Sequence, residues 1–268
     1  MIQNLHTHTT FCDGKSTAEE LVLAAIAQGM DSLGFSGHSY LPADPSWNMS
    51  PAATAAYRAE VLRLKEQYAG KLEIFLGLEQ DYDSPAMAER YDYVIGSVHY
   101  VEKAGRLFCV DDSEEILSRA ASELYGGDYM ALAEDYFARV ADVPRKTDAQ
   151  ILGHLDLITK FNEGDRLFPT TGRYFDAAAA AIESLAQTGA LFEINTGAIS
   201  RGYRTAPYPS AALLRFIREK GGRILLSSDC HHADALLCAF EASTALAKSC
   251  GFTEAMILTR DGFVPQLL

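Results

Sequence analysis

Seven short apolar runs punctuate this chain, with helical patterns between them. The runs are Ile2–Leu5, Ser32–Ser36, Glu73–Leu78, Tyr93–Val98, Ile151–His154, Ala190–Ile194 and Arg223–Ser227. They are mostly continuous rather than alternating, as strands covered on both faces in a parallel sheet must be. Ser16/Thr17 followed by Glu19/Glu20 is a capping-box signal opening a helix over Ala18–Gln28. Ser50-Pro51 is an N-cap and first-turn pair for a helix through Tyr68. Phe175–Ala186, Ser210–Lys220 and Phe240–Ser249 are read as helices with the same kind of start, and Gly221-Gly222 ends one of them. Strand and helix alternation predicts parallel βα units, and the 268 residues match one α/β barrel. Seven repeats rather than eight predict a distorted (β/α)7 TIM-like barrel, a single domain over residues 1–268. The stretch around 101–147 is too long for one crossover, so a helical insertion is expected there, Glu114–Ala121 plus Tyr129–Val140.

In a parallel barrel, functional groups gather at the C-terminal ends of the strands. The histidines fall there. His6-Thr7-His8-Thr9 follows the first run and Gly37-His38 the second; Gly77-Leu78-Glu79 closes the third. Ser97-Val98-His99 ends the fourth, Gly153-His154-Leu155-Asp156 the fifth, and Ser228-Asp229-Cys230-His231 the seventh. His6 and His8 are two apart, so an extended chain points them the same way, and Asp229 and His231 repeat the pattern. One lone histidine is most simply a satisfied core or surface residue. A set of His, Asp and Glu converging on one rim is what metal sites are made of.

These motifs together resemble the polymerase-and-histidinol-phosphatase (PHP) family of metal-dependent phosphoesterases, over essentially the whole chain. Within it the chain looks like the histidinol-phosphatase branch. The segments that carry this are His6-Thr-His-Thr-Thr-Phe-Cys-Asp-Gly14, Gly77-Leu-Glu-Gln-Asp-Tyr82, Ile95-Gly-Ser-Val-His-Tyr100, Gly153-His-Leu-Asp-Leu157 and Glu193-Ile-Asn-Thr-Gly197. The resemblance implies three divalent metal ions, with zinc, manganese and iron all compatible with such ligands. His6, His8, Glu79 and Asp229 would hold the first. Glu79 would bridge to the second, held also by His99 and His154. Asp13, His38 and His231 would hold the third. Asp13 is a variation, since many members place a histidine there, and Gly37 stands where many have an acidic residue. The implied activity is that of a phosphoric monoester hydrolase releasing inorganic phosphate from L-histidinol phosphate, in histidine biosynthesis, by attack of a hydroxide bridging two ions. Glu79, Asp229 and His231 stand as its expected catalytic residues. The alternative is a PHP-type phosphoesterase on another small phosphate or nucleotide.

The sixth run offers no obvious ligand. Its loop, Asn195–Arg204, is glycine-rich and carries Arg201 and Arg204, expected phosphate clamps because guanidinium fits phosphate bidentately. Lys160 is a third candidate. The choice of substrate is expected to reside in that loop. His232 is expected to point away from its neighbour His231, toward substrate. Asp156 is expected to orient an imidazole or cap a turn, Asp81 to meet a cationic substrate or cap a turn, and Trp47 to form part of a lid. Cys12 and Cys230 read as small buried side chains.

Net charge is −13, which argues against a nucleic-acid partner because binding a phosphate backbone needs a basic face. Five cysteines with no C-x-x-C spacing do not build a disulfide scaffold, so a reducing cytoplasm is expected. No signal-peptide pattern and no run of about 20 apolar residues is found, so no membrane partner is expected. Oligomeric state is not legible.

Overall fold

The computed structural model describes residues 1–268. In chain order it begins β1 (Gln3–Asn4), α1 (Ala18–Ala27), β2 (Ser32–Phe35), α2 (Pro51–Gln67), β3 (Glu73–Asp81) and β4 (Tyr93–Ser97). An excursion follows: the hairpin β5 (Tyr100–Lys103) and β6 (Arg106–Cys109), then α3 (Glu114–Tyr125) and α4 (Tyr129–Thr147). The repeat resumes with β7 (Ile151–Leu152), α5 (Arg173–Ala186), β8 (Leu191–Asn195), the short α6 (Gly197–Ser200), α7 (Ala211–Glu219), β9 (Arg223–Ser227) and α8 (Phe240–Ser249). A terminal hairpin, β10 (Glu254–Thr259) and β11 (Gly262–Leu267), ends the chain. Seven parallel strands run in the order β1-β2-β3-β4-β7-β8-β9. The fold is the distorted (β/α)7 barrel, nearly closed.

Local chemistry explains the helix starts. Thr17 and Glu20 complete a reciprocal capping box, and Ser50 caps α2 with Pro51 in its first turn. Ser210 caps α7 in the same way. The expected side-chain caps of the other two helices are absent: Gly172 precedes α5 and Ala239, in a left-handed conformation, precedes α8. Packing of their apolar faces decides those starts instead.

Two layers of helix cover the barrel. The larger core joins α3, α4, α5 and α7 to the outer faces of β4, β7 and β8, and a second joins α1 and α2 to β2 and β3. Inside the barrel a smaller cluster holds Leu5, Phe75, Tyr93, Ile95, Ile151, Leu191 and Leu225. Met256 and Leu258 of β10 complete that cluster, so the terminal hairpin, which periodicity did not announce, plugs the end of the barrel opposite the histidines. Gln3 fixes the plug by exchanging hydrogen bonds with the Leu258 backbone.

Tyr93 fills the middle of the barrel, its hydroxyl donating to the carbonyls of Leu5 and Phe35. The ring fits only because its neighbours are glycines. A Cβ on Gly77 would sit 2.2 Å from the Tyr93 ring carbon Cζ. Gly77→Ala is therefore expected to lower unfolding free energy by about 1–3 kcal/mol through overpacking. A urea-denaturation loss below about 0.5 kcal/mol, the size of an ordinary surface substitution, would contradict this account of the barrel centre.

Candidate metal centre

The parallel ladder continues past the strand ends, and the donors ride on that continuation. His38 pairs with Glu79 as an isolated parallel bridge, and Thr7 pairs with Cys230. Glu79 is the hub. Its Oε2 lies 2.8 Å from His38 Nδ1, 3.2 Å from His6 Nε2 and 3.5 Å from His8 Nε2. Its Oε1 lies 3.0 Å from His154 Nε2 and 3.6 Å from His99 Nε2. Asp229 Oδ1 is 3.1 Å from His8 Nε2 and 3.7 Å from both His6 Nε2 and His231 Nδ1. Asp13 reaches His231 Nε2 at 2.9 Å and His38 Nε2 at 3.6 Å. Ligand bonds of about 2.1 Å give donor–donor edges of about 3.0–3.4 Å in octahedral or tetrahedral geometry, and the spacings here, 2.8 to 3.7 Å, straddle that range.

All nine residues expected as ligands thus come together. They fall into four overlapping groups: His6, Glu79 and His154; His6, His8 and Asp229; His38, Glu79 and His99; and His8, Asp13, His38 and His231. His8 reaches the last group through its other ring nitrogen, closer to the third set than expected. Four buried atoms at the centre, His6 Nε2, His8 Nε2, His38 Nδ1 and Glu79 Oε2, have no hydrogen-bond partner. Buried polar atoms are rarely left so, and a mixed imidazole and carboxylate set of this kind fits divalent cations.

Electrostatics agree. Burial works against the charged forms of Glu79 and Asp229, yet both carboxyls are held well below the usual range. His6 and His38 do this for Glu79, and Arg201 and His6 for Asp229. His6 and His38 resist protonation through burial, but surrounding carboxylates, Glu193 and Glu79 first around His6, raise both well above the ordinary imidazole value. His8 goes the other way, lowered to about 3 by burial and by His38 and His231, and is a neutral donor at pH 7. Without cations, two rings carry protons that a metal must displace. Zinc uptake by chelator-stripped protein at pH 7 is therefore expected to release protons and to weaken as pH falls. Calorimetric titration in two buffers of different ionisation enthalpy reads this directly; identical apparent enthalpies would refute it.

The cluster forms the floor of a cavity of about 770 Å³. Lys160 and Arg201 both line it. Arg201 Nη2 donates to Asp229 Oδ2 at 3.1 Å, an approach that Gly197 permits, since a Cβ there would lie 2.6 Å from the same oxygen. Arg204 does not reach the cavity. Its guanidinium is spent on the Thr159 carbonyl and hydroxyl and lies over the Tyr208 ring. His232 is also outside; half-exposed, it accepts from the Asp234 N–H and caps a short turn. Trp47 stands over the floor, its ring 4.5 Å from His38 and 5.3 Å from His99, tethered through its Nε1 to the Tyr100 hydroxyl. The roof comes from β5, β6 and the start of α3, through Arg106, Phe108, Asp111, Ile116 and Arg119.

Residues 4–197 match the PHP domain. The chain belongs to the PHP domain family. A Deinococcus radiodurans protein named "Probable histidinol-phosphatase" is 30% identical over 239 residues, 84% of this chain and 85% of its own length. The Bacillus subtilis protein named histidinol-phosphatase is 26% identical over 265 residues, 88% of this chain and 96% of its own. Among solved structures, histidinol phosphate phosphatase from Lactococcus lactis, complexed with zinc, L-histidinol and phosphate, superposes with a TM-score of 0.70. The two are 22% identical, with 98% of each chain covered.

In this PHP barrel the strand without a ligand, β8, supplies the support. Glu193 is completely buried and accepts four hydrogen bonds: from His6 Nδ1 at 2.6 Å, Ser227 Oγ at 2.5 Å, the His154 N–H at 2.7 Å and Asn195 Nδ2 at 2.9 Å. Asp81 does the same for His99, its Oδ2 accepting from Nδ1 at 2.9 Å, while its Oδ1 accepts from the Asp83 N–H at 2.7 Å and caps the turn after β3. Ser97 Oγ donates to Glu79 Oε1 at 2.6 Å. Sequence reading missed Glu193. The available signal was its two-residue spacing from Asn195 on a strand whose other side chains are apolar. Asp156 neither orients His154 nor caps its own turn; its Oδ2 accepts from the Ser210 N–H at 3.1 Å and ties the loop after β7 to the start of α7. Cys12 and Cys230 are free, and Cys12 Sγ lies 3.6 Å from His8 Nδ1. Glu193→Gln keeps the shape but breaks the acceptor set, and is expected to weaken metal affinity roughly 10- to 100-fold. Competition with a chromogenic chelator measures it; unchanged affinity in a folded variant would remove the orienting role.

Proposed function

We propose that this chain is a metal-dependent phosphomonoesterase that hydrolyses L-histidinol phosphate to L-histidinol and inorganic phosphate. The observation that carries the reading is the cavity: six of nine convergent donors line its floor, the other three lie buried among them, and Lys160 and Arg201 stand beside them. The substrate follows from relatives bearing the histidinol-phosphatase name, matched over most of both chains. A related fold holding zinc, L-histidinol and phosphate together supports it. Three ions, drawn from zinc, manganese and iron, suit the donor set, with His6, His8, Glu79 and Asp229 at the first, Glu79, His99 and His154 at the second, and Asp13, His38 and His231 at the third. When bound, such ions polarise the phosphoryl group and supply a nucleophile at neutral pH.

The chain's own residues do the rest. Glu79 joins two donor groups, and Glu193 and Asp81 fix the rings of His6 and His99. Arg201 and Lys160 present fixed positive charge to phosphate oxygens as charge develops on them. His231 stands at the cavity side between Asp13 and Asp229, where it would help to hold the third ion. The four cations of the lining, Arg106, Arg119, Lys160 and Arg201, are offset by Asp13, Asp44, Asp111, Asp112 and Asp229, a mixed surface rather than the basic face that would favour a nuclease. No helix is long and apolar enough to cross a membrane, and the substrate is a small molecule. The five free cysteines suit the reducing cytoplasm proposed for it.

Steady-state assays against a panel of phosphomonoesters test the reading. The expected result is a kcat/KM for L-histidinol phosphate well above those for sugar and nucleotide phosphates, lost on chelation and restored by metal. Equal or lower efficiency on L-histidinol phosphate would reject the substrate.

A further inference from the structure

Three carboxylates line the cavity without belonging to the donor cluster: Asp44, Asp111 and Asp112. Asp44 is committed, accepting from the Tyr100 hydroxyl at 2.8 Å and the Ser46 hydroxyl at 2.6 Å. Asp112 is exposed at the mouth. Asp111 is different. It follows β6 on the roof, its side chain is 20% exposed, and its Oδ2 lies 3.2 Å from Lys160 Nζ, which is 8% exposed. Lys160 Nζ also donates to the Asp111 carbonyl at 2.6 Å, and Cys109 Sγ donates to Asp111 Oδ1 at 3.2 Å. One anion and one cation, both facing the cavity, thus neutralise each other beside the metal floor.

That pair is complementary to a zwitterion. An amino-bearing phosphomonoester carries its ammonium two carbons from the ester oxygen. It can give its phosphate to Lys160 and its ammonium to Asp111 in one exchange, and no charge is left alone. A simple phosphate drawing Lys160 away would leave Asp111 half-buried and unpaired, which is unfavourable. Discrimination then comes from the partner that the wrong substrate fails to supply.

We propose that Asp111 is the specificity residue that selects a phosphomonoester bearing a neighbouring ammonium group, by exchanging its Lys160 partner for that cation. This rests on the phosphomonoesterase reading above.

The test compares L-histidinol phosphate with its deaminated analogue, 3-(imidazol-4-yl)propyl phosphate, on metal-loaded wild-type enzyme, Asp111→Asn and Asp111→Glu. The ratio of the two kcat/KM values is expected to favour the aminated substrate strongly in wild type. Asp111→Asn should collapse that ratio roughly 10- to 100-fold, mainly through KM for the aminated substrate. Asp111→Glu, which keeps the charge, should recover most of it. If Asp111 only positions Lys160, Asp111→Asn lowers both substrates in parallel and weakens inhibition by inorganic phosphate equally; that outcome overturns the assignment while leaving the proposed function standing. An unchanged ratio overturns it as well. No preference for L-histidinol phosphate in wild type would remove the proposed substrate, and this inference with it. Should Asp111→Asn fail to fold, loss of the preference in Asp111→Glu is read instead as against the charge-exchange account.

Discussion

Two backbone hydrogen bonds join the first and last barrel strands, from the His8 N–H to the Cys230 carbonyl at 2.9 Å and from the Cys230 N–H to the His6 carbonyl at 3.3 Å. No ladder connects β1 and β9 below them. The backbone ladder is therefore closed only at the C-terminal rim, by the peptide groups of the two motifs that carry His6, His8, Asp229 and His231, with the Asn4 side chain bridging to Ser228 beside them. Closure and metal centre share one piece of backbone. The arrangement explains why a barrel of seven strands can fix donor spacings: any opening of the seam separates Asp229 from His8. It also explains a local cost, since Asp229 is held at φ 48°, a region that non-glycine residues rarely adopt.

The second constraint is charge. Glu79, Glu193 and Asp229 are buried within one cluster, and burying carboxylates is unfavourable unless each finds a cation or several donors. Glu193 is satisfied entirely by protein donors, so it belongs to the scaffold. Glu79 is not: Oε1 is engaged by Ser97, whereas Oε2 has only the imidazoles around it and no hydrogen bond. The contrast between two glutamates of equal burial separates the one satisfied within the scaffold from the one left open to a cation.

The donors were legible because barrel topology turns sequence order into spatial convergence. A histidine at the end of any parallel strand must face one rim, and His6, His8, His38, His99 and His154 needed no further information. Glu193 was not legible, since a carboxylate in mid-strand has the same pattern whether it binds metal, pairs with an ion or faces water. Arg204 and Arg201 show the same limit. Three residues apart on one glycine-rich loop, they read alike, but α6 ends at Ser200 and Gly202, at φ 75°, turns the chain between them, so one guanidinium reaches Asp229 and the other is buried against Thr159. The hairpin β10–β11 escaped because its burial depends on the open end of the barrel, a tertiary feature without a local signal.

Substrate choice was expected in the loop after β8, and that loop supplies only Arg201 to the cavity. The excursion after β4 supplies the roof. A helical insertion was legible from its length and periodicity; the β5–β6 hairpin ahead of it was not, because Tyr100–Lys103 and Arg106–Cys109 are four-residue strands paired only with each other. That hairpin brings Phe108 and Asp111 over a floor built by the barrel. The division has a physical basis. Floor residues answer to metal geometry and to barrel closure, so few substitutions are compatible with them. Roof residues take no part in the donor cluster or the seam, and Asp111 meets the barrel only through Lys160, so there a single carboxylate can set which phosphate fits.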